Sequence, residues 1–384
     1  MNPADCYLDA AATSRHKAPG VVSAMVHALE EVGASPGRGT YEPGLAASRL
    51  IAQTREDLAE LFGVDDSARV VFTAGCTSAI NTVLLGLLKP GDRVLVSGVE
   101  HNAVMRPLMH LAQHDGIKIE RCPVDSYGRI RAEEVIQRLS QEPTALVILT
   151  HASNVSGAIQ PVEVIATAAH ACGIPVLLDA AQTAGCLPIA CDRWGIDYLA
   201  FSGHKGLLGP QGTGGLVVPA DCTLEPLIRG GTGSRSQEEV QPTFLPDRLE
   251  SGTPNTPGIA GLGAAVKYLL HEGVENIRRR SQPLVEHLLQ GLAQVPHLCL
   301  HSPQHSQENI GIAAFTLDSW DPAELADRLW QDHRIMVRAG LHCAPSAHRA
   351  LGTFPHGSVR ASIGSQTNTQ DIDHLIQALH SYAR

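Results

Sequence analysis

Lys205 stands in the pentapeptide Ser202-Gly203-His204-Lys205-Gly206, on a turn between two apolar runs at 196–201 and 216–218, with a glycine-rich stretch at 209–215 behind it. Burying an ammonium group is expensive and lowers its pKa. That cost is useful where the lysine must be an unprotonated amine that forms a Schiff base. Taken alone, the stretch slightly favours a plainer reading, a lysine whose stem snorkels out of a surface loop. Other stretches shift the balance. Asp179-Ala180-Ala181-Gln182 follows the apolar run 175–178, and Asp179 precedes Lys205 by 26 positions, one strand–helix–strand step. Cys76-Thr77-Ser78 opens a helical pattern after the apolar residues 70–72. Backbone N–H groups and the helix dipole make such a place an anion site, although by itself a helix N-cap at Thr77 or Ser78 explains it better. His101 and Asn102 follow the run 93–96, and His151 and Asn154 follow the run 145–149.

These polar residues need elements that bring them together. The apolar runs, ending with 198–201 and 216–218, alternate with helical patterns such as 78–88 and 161–172. Near-continuous apolar strands alternating with helices predict a mainly parallel sheet covered on both faces. Ligands in such folds bind beyond the carboxyl ends of the strands. Five successive strand ends carrying His, Asn, Asp, Gln or Lys then converge on one pocket, which core packing does not explain. Upstream, 7–13 is a short segment holding Asp9 that leads into a loop. Residues 33–44 form a long loop with Arg38 and Tyr41, and 45–62 repeat apolar positions at helical spacing. Downstream, 230–248 is a second glycine-rich loop, followed by helices at 258–270 and 277–295. The tail reads as strand 312–317, helix 324–330, strand 335–338, a loop, strand 359–363 and a final helix from 372, a compact α+β unit.

At 384 residues the chain suggests two domains sharing a cleft. We place the large α/β domain at 16–257 and a small α+β domain at 1–15 plus 258–384. A formal net charge of −10 argues against nucleic acid as the main partner. Arg278-Arg279-Arg280 reads most simply as a solvated helix face. No apolar run reaches the length of a membrane span, and residues 1–5 lack the pattern of a secretory signal, so the expected location is cytoplasmic. Nine scattered cysteines with no Cys-x-x-Cys pair are neither a disulfide framework nor a zinc ribbon.

A lysine amine, an aspartate after a buried strand, a histidine able to stack on a ring and a hydroxyl-and-glycine loop for a phosphate are the needs of pyridoxal 5′-phosphate. The sequence resembles the class V, fold-type I pyridoxal-phosphate enzymes, and within them the cysteine desulfurases and selenocysteine lyases. The resemblance runs through Tyr7-Leu8-Asp9-Ala10-Ala11-Ala12-Thr13, Thr73-Ala74-Gly75-Cys76-Thr77-Ser78, Glu100-His101-Asn102, Ser153-Asn154-Val155-Ser156-Gly157, Asp179-Ala180-Ala181-Gln182, Ser202-Gly203-His204-Lys205, Glu250-Ser251-Gly252-Thr253-Pro254 and Arg338-Ala339-Gly340-Leu341-His342-Cys343-Ala344. It implies a seven-stranded, mainly parallel sheet sandwiched by helices, with a smaller C-terminal domain. It also implies roles. Lys205 would carry the cofactor and shuttle the Cα proton, Asp179 would pair with the pyridinium nitrogen and Gln182 with the phenolic oxygen. His101 would stack on the ring, while Cys76, Thr77, Ser202 and His204 would hold the phosphate. Asn154 and Arg360 would bind the substrate carboxylate. Members are homodimers, so Thr232 would reach the partner's phosphate. Position 76 is more often Thr in the family, and position 10 Asn.

Cys343 decides the reaction. Its polar loop favours an accessible thiol, whereas most of the other eight cysteines read as small buried apolar residues. With Cys343 as acceptor, the resemblance implies that L-cysteine gives L-alanine and a persulfide, whose sulfur passes to an acceptor protein. The loop is short, as in the desulfurase group with a brief Cys-bearing segment. The alternatives are a selenocysteine lyase, a class V C–S lyase or transaminase in which Cys343 is incidental, and a non-catalytic persulfide carrier. His342, Cys343 and His348 make a poor tetrahedral set, so no metal is expected.

Overall fold

The computed structural model describes residues 5–37 and 39–383. Arg38 and residues 1–4, on which part of the sequence reading rests, lie outside them. The first strand, β1 (Cys6–Tyr7), is followed by seven strands of one sheet: β2 (Val70–Thr73), β3 (Arg93–Ser97), β4 (Lys118–Cys122), β5 (Leu146–Thr150), β6 (Val176–Asp179), β7 (Tyr198–Ser202) and β8 (Gly214–Val217). Their spatial order is β2-β8-β7-β6-β5-β3-β4, with every neighbouring pair parallel except those involving β8. Strands β3, β5, β6 and β7 are buried along their whole length, because helices cover both faces. Leu95, Val147, Leu178 and Leu199 point into one apolar layer, and Val94, Ile148, Leu177 and Ala200 into the other. The period of two along each strand produces this split.

Within this sheet, the strand that the apolar runs do not reveal is β4. Lys118, Glu120 and Arg121 alternate with Ile119 at the sheet's edge, where one side faces solvent. Charged edge strands of this kind discourage further pairing.

Five strands complete the chain: β9 (Leu298–Leu300), β10 (Ile312–Leu317), β11 (Ile335–Met336), β12 (Arg338–Gly340) and β13 (Ser358–Ser362). They form an antiparallel sheet β12-β13-β10-β9 and a parallel pair β1-β11. The run expected as one strand at 335–338 is therefore two, broken at Val337: its first half pairs with β1 and its second with β13. Helix Thr256–Glu272 packs on helices Val21–His27 and Glu42–Phe62, and its Leu262, Ala265, Val266 and Leu269 belong to the first apolar layer. The next helix, Val274–Ala293, sends Val285, Leu288, Leu289 and Leu292 into the core beneath the small sheet. A fourth, small apolar cluster joins the two halves through Val99 and Val155 on one side and Ala314, Ala344, Ala347 and Leu351 on the other.

Candidate active site

The carboxyl ends of β6 and β7 lie side by side, with Asp179 in register with Ala200. Asp179 ends β6 and is 5% exposed. Its Oδ1 accepts from the Ala181 N–H at 2.9 Å and from the Cys76 thiol at 3.2 Å, and Oδ2 takes no hydrogen bond from any described residue. Cys76 stands there because it opens helix Cys76–Leu87, which packs against β6, β7 and β8. Its backbone N–H faces Ser202 Oγ at 3.4 Å. Thr77, next on the same helical turn, is exposed, and its hydroxyl has no partner among the described residues.

Lys205 sits on the turn after β7. The turn has no room for side chains on either flank: a Cβ at Gly203 would lie 2.1 Å from Thr213 Oγ1, and one at Gly206 would lie 2.4 Å from Cys186 Sγ and 2.6 Å from the Ala184 carbonyl. The Lys205 amine makes no hydrogen bond or ion pair with a described residue. Burial pushes its pKa down; the charge of Asp179 acts the other way, and that of Arg360 adds to the fall. The turn is also tied to the N-terminal segment, since the His204 carbonyl accepts from Ser14 N and Ser14 Oγ at 2.9 Å. His204 Nδ1 contacts Thr13 Oγ1 at 3.0 Å, and burial, with Lys205 and Lys17 nearby, lowers that ring to about 4, so it is neutral.

His101 caps helix Asn102–His114: its Nδ1 accepts from the Ala103 N–H at 3.0 Å, which leaves the proton of the neutral ring on Nε2. Burial lowers its pKa, and the charges of Asp179 and Lys205 act on it in opposite directions. Gln182 donates to the Ala11 carbonyl at 3.0 Å. A cavity opens beside Lys205 between the two halves, lined by Ala10, Ala11, Gln182, Gly206, Ile312 and Ser362.

Across the cleft, Arg360 in β13 is 3% exposed. Its Nη1 donates to the Asn154 carbonyl at 2.9 Å and its Nη2 to Asp9 Oδ1 at 3.1 Å, while Nε is buried without a partner. Asp9 also accepts from Arg338 Nη2, at 2.8 Å on Oδ2. Asp9 is thus a shared counter-ion for two arginines, a role that the sequence reading does not assign to it.

Cys343 is exposed, at the crest of a tightly anchored segment. Its carbonyl accepts from Asn102 N at 2.8 Å, and the preceding His342 carbonyl accepts from Asn154 Nδ2 at 2.7 Å. The next residue, Ala344, is fully buried in the cluster that joins the two halves, and helix Pro345–Ala350 follows. His342 and Cys343 both take positive φ, +46° and +57°, a conformation that costs a non-glycine residue unless its surroundings enforce it. The His342 ring is buried, with Nε2 donating to the Ser358 carbonyl at 3.2 Å; burial first, then Arg360 and His348, depress its pKa to about 2.

Lys205, Asp179, His101, Cys76, Ser202, Asn154, Arg360 and Cys343 therefore surround one cleft. His151, expected among the converging strand ends, does not join them: its ring packs edge-on against Trp194 at 6.0 Å, in the apolar layer under the sheet. Thr232 contacts Ser234 Oγ at 3.1 Å in its own loop, away from these residues. The Arg278 side chain is not solvated as its helical pattern predicts; it turns inward to the Ser306 carbonyl, and burial lowers its pKa.

The sequence pattern of the aminotransferase class-V family matches residues 6–375. A protein of Methanothermobacter thermautotrophicus named as a probable cysteine desulfurase is 35% identical, over 98% of this chain and 94% of that one. A cysteine desulfurase of Pectobacterium atrosepticum is 31% identical, over 98% and 93%. Among solved structures, the apo cysteine desulfurase of Thermococcus onnurineus superposes with a TM-score of 0.92 at 30% identity, covering 99% of this chain and 94% of that one. The cysteine desulfurase CsdA of Escherichia coli, solved as its S-sulfonic acid, gives a TM-score of 0.87 at 28% identity, over 99% and 95%. The α/β architecture with its mainly parallel sheet is the one these structures share with this chain.

Proposed function

The chain belongs to the class-V aminotransferases, and from that premise we propose that it is a pyridoxal-phosphate-dependent cysteine desulfurase, which takes the sulfur of L-cysteine onto Cys343 as a persulfide and passes it to an acceptor. The observation that carries the reading is the pairing of two unlike nucleophiles on one cleft: a lysine amine lowered by burial and an exposed thiol pinned through its own backbone.

The residues fit the cofactor. Asp179 is a buried carboxylate with one oxygen unpartnered, as a pyridinium nitrogen requires. The first N–H groups of helix Cys76–Leu87 with Ser202, Thr77 and His204 make the phosphate end. His101 would cover the ring, and Gln182 Nε2 would have a second N–H for the phenolic oxygen. Bound there, pyridoxal phosphate supplies an electron sink that acidifies the Cα–H of the substrate amino acid.

Lys205 would hold the cofactor and, with substrate bound, would move the Cα proton, a role that its burial-lowered pKa favours. Arg360 binds the substrate carboxylate with its unpartnered Nε edge, and Asp9 and the Asn154 carbonyl hold the guanidinium in place. Asn154 ties the two ends together, since its side chain holds the His342 carbonyl. The Cys343 thiolate attacks the substrate sulfur; the Cβ–S bond breaks, alanine leaves and the persulfide stays on Cys343. The working unit is a homodimer in which Thr232 reaches the partner's phosphate site. It acts in the cytoplasm, where its nine free cysteines stay reduced.

The test is product identity from L-cysteine with purified protein and a thiol reductant. Alanine with equimolar sulfide is expected. Pyruvate and ammonia in its place would overturn the reading in favour of a C–S lyase.

A further inference from the structure

We infer that Cys76 is a positioning residue for the ring nitrogen of the cofactor: its thiol occupies Asp179 Oδ1 and so reserves Oδ2 for the pyridinium N–H. The inference rests on the cofactor assignment above and extends it to a side chain that would otherwise serve the phosphate end through its backbone alone. Three observations carry it. The Cys76 Sγ lies 3.2 Å from Asp179 Oδ1, and both side chains are buried. The same oxygen already accepts the Ala181 N–H at 2.9 Å, so two donors converge on Oδ1 and none of the described residues donates to Oδ2. The backbone N–H of Cys76 points elsewhere, to Ser202, so the thiol is free to face the carboxylate.

The chemistry of the donor matters. A carboxylate flanked by two donors on one oxygen cannot rotate without giving up both, which fixes the oxygen that meets the ring. A thiol is a weaker donor than a hydroxyl, so it orients Asp179 while drawing little charge from it. Burial, and then the Asp179 charge beside it, raise the Cys76 pKa well above that of an ordinary thiol, so the group stays an S–H donor across the working pH range.

The experiment compares cofactor dissociation constants of the full-length protein for pyridoxal 5′-phosphate and for its 1-deaza analogue, which has carbon in place of the ring nitrogen. It uses wild type, Cys76→Ser and Cys76→Ala, with Cys76→Val as a second donor-free variant of similar volume. Wild type is expected to bind pyridoxal phosphate more tightly than the analogue. Removing the donor in Cys76→Ala or Cys76→Val is expected to weaken pyridoxal phosphate roughly tenfold, the size of a lost charge-assisted hydrogen bond, and to leave the analogue within about twofold. Cys76→Ser, which keeps a donor, should stay within about threefold of wild type for both. Equal weakening of the two ligands in the donor-free variants would mean a merely structural role and would overturn the inference, as would no weakening of either. Failure of wild type to bind pyridoxal phosphate, or to prefer it over the analogue, would overturn the cofactor or Asp179 assignment itself; the wild-type arm alone reveals that outcome.

Discussion

Lys205 lies close enough to Cys343 to feel its charge, yet the supports of the two residues are of opposite kinds. The lysine turn is fixed by exclusion. Gly203 and Gly206 pack so closely that a single methyl group would collide with Thr213, Cys186 or the Ala184 carbonyl, and the half-buried lysine lines the cavity, where loss of solvent lowers its pKa. The cysteine segment is fixed by tethers. Asn102 and Asn154 hold the carbonyls of Cys343 and His342, and Ala344 and Ala347 are sunk in the apolar seam, while the thiol itself stays exposed. Proton transfer needs a poorly solvated base, and sulfur delivery needs a thiol that a second molecule can reach. One cleft serves both because each nucleophile is ordered through its backbone and differs only in what surrounds its tip.

The largest effect should come from the enclosed end. Lys205→Ala removes both the proposed attachment point and the proposed base, so alanine formation should fall by roughly a thousandfold or more. Borohydride should no longer fix the cofactor covalently to the protein. Activity within tenfold of wild type would show that some other group moves the proton. Cys343→Ala attacks the comparison from the other side. Sulfide release should drop by roughly a hundredfold or more, while the cofactor still binds with wild-type affinity, because no tether of the lysine turn passes through the Cys343 side chain. Loss of cofactor binding in this variant would mean that the two ends are one structural unit.

Much of this arrangement was legible in the sequence, and the reason is local. The runs before Asp179 and Lys205 are strands buried on both faces, so their residue types announce them, and the ligand-facing residues follow directly at their ends. The strand 312–317 was readable for the same reason. Edge strand β4 was not, because Lys118 and Arg121 face solvent and Glu120 pairs with Arg93 and Arg138, so its charges mimic a loop. Arg278 carries the helical pattern of its charged neighbours but turns inward, which no periodicity reveals. The sequence around Cys76 pointed to an anion site at a helix start, while the thiol's contact with Asp179 spans 103 positions. Asp9 was read only as part of a short segment and a motif; its partners Arg338 and Arg360 are 329 and 351 residues away, and the pairing of β1 with β11 and of Asp9 with Ser362 in β13 brings them to it.

Asp9 offers an intermediate effect that sharpens the contrast. Asp9→Asn keeps the shape and an acceptor oxygen but removes the shared charge, leaving buried Arg360 without its counter-ion. Substrate binding should suffer more than turnover, with KM for cysteine up roughly tenfold and kcat changed less than threefold. An equal fall in kcat with unchanged KM would place Asp9 in the chemical step instead. Asp9→Asn should also keep the wild-type preference for pyridoxal phosphate over its 1-deaza analogue, unlike the donor-free Cys76 variants, because it acts on the opposite wall of the cleft.

The smallest effect tests how the cysteine end is held. His342 is lowered by burial to about 2, and His348, fully enclosed at a ring separation of 5.5 Å from it, is lowered by burial to about 4, both from an ordinary 6.5. These rings also face Arg360, Arg338 and His301, so every charged neighbour opposes protonation. The folded state therefore refuses protons that the unfolded chain accepts below pH 6.5. The sign follows: stability is full above 6.5 and declines as pH falls, by about 1.4 kcal/mol per pH unit for each ring held neutral, until the folded pKa is reached. Between pH 6.5 and 4 both rings contribute. Denaturant midpoints measured across that window should fall with acid in the wild type, and the slope should flatten by about one proton in His348→Leu, which keeps the volume without a titrating group. An unchanged slope would show that His348 takes up its proton in the folded state. The Cys343 segment would then rest on its backbone tethers alone, and acid would release the sulfur-carrying end no sooner than the enclosed one.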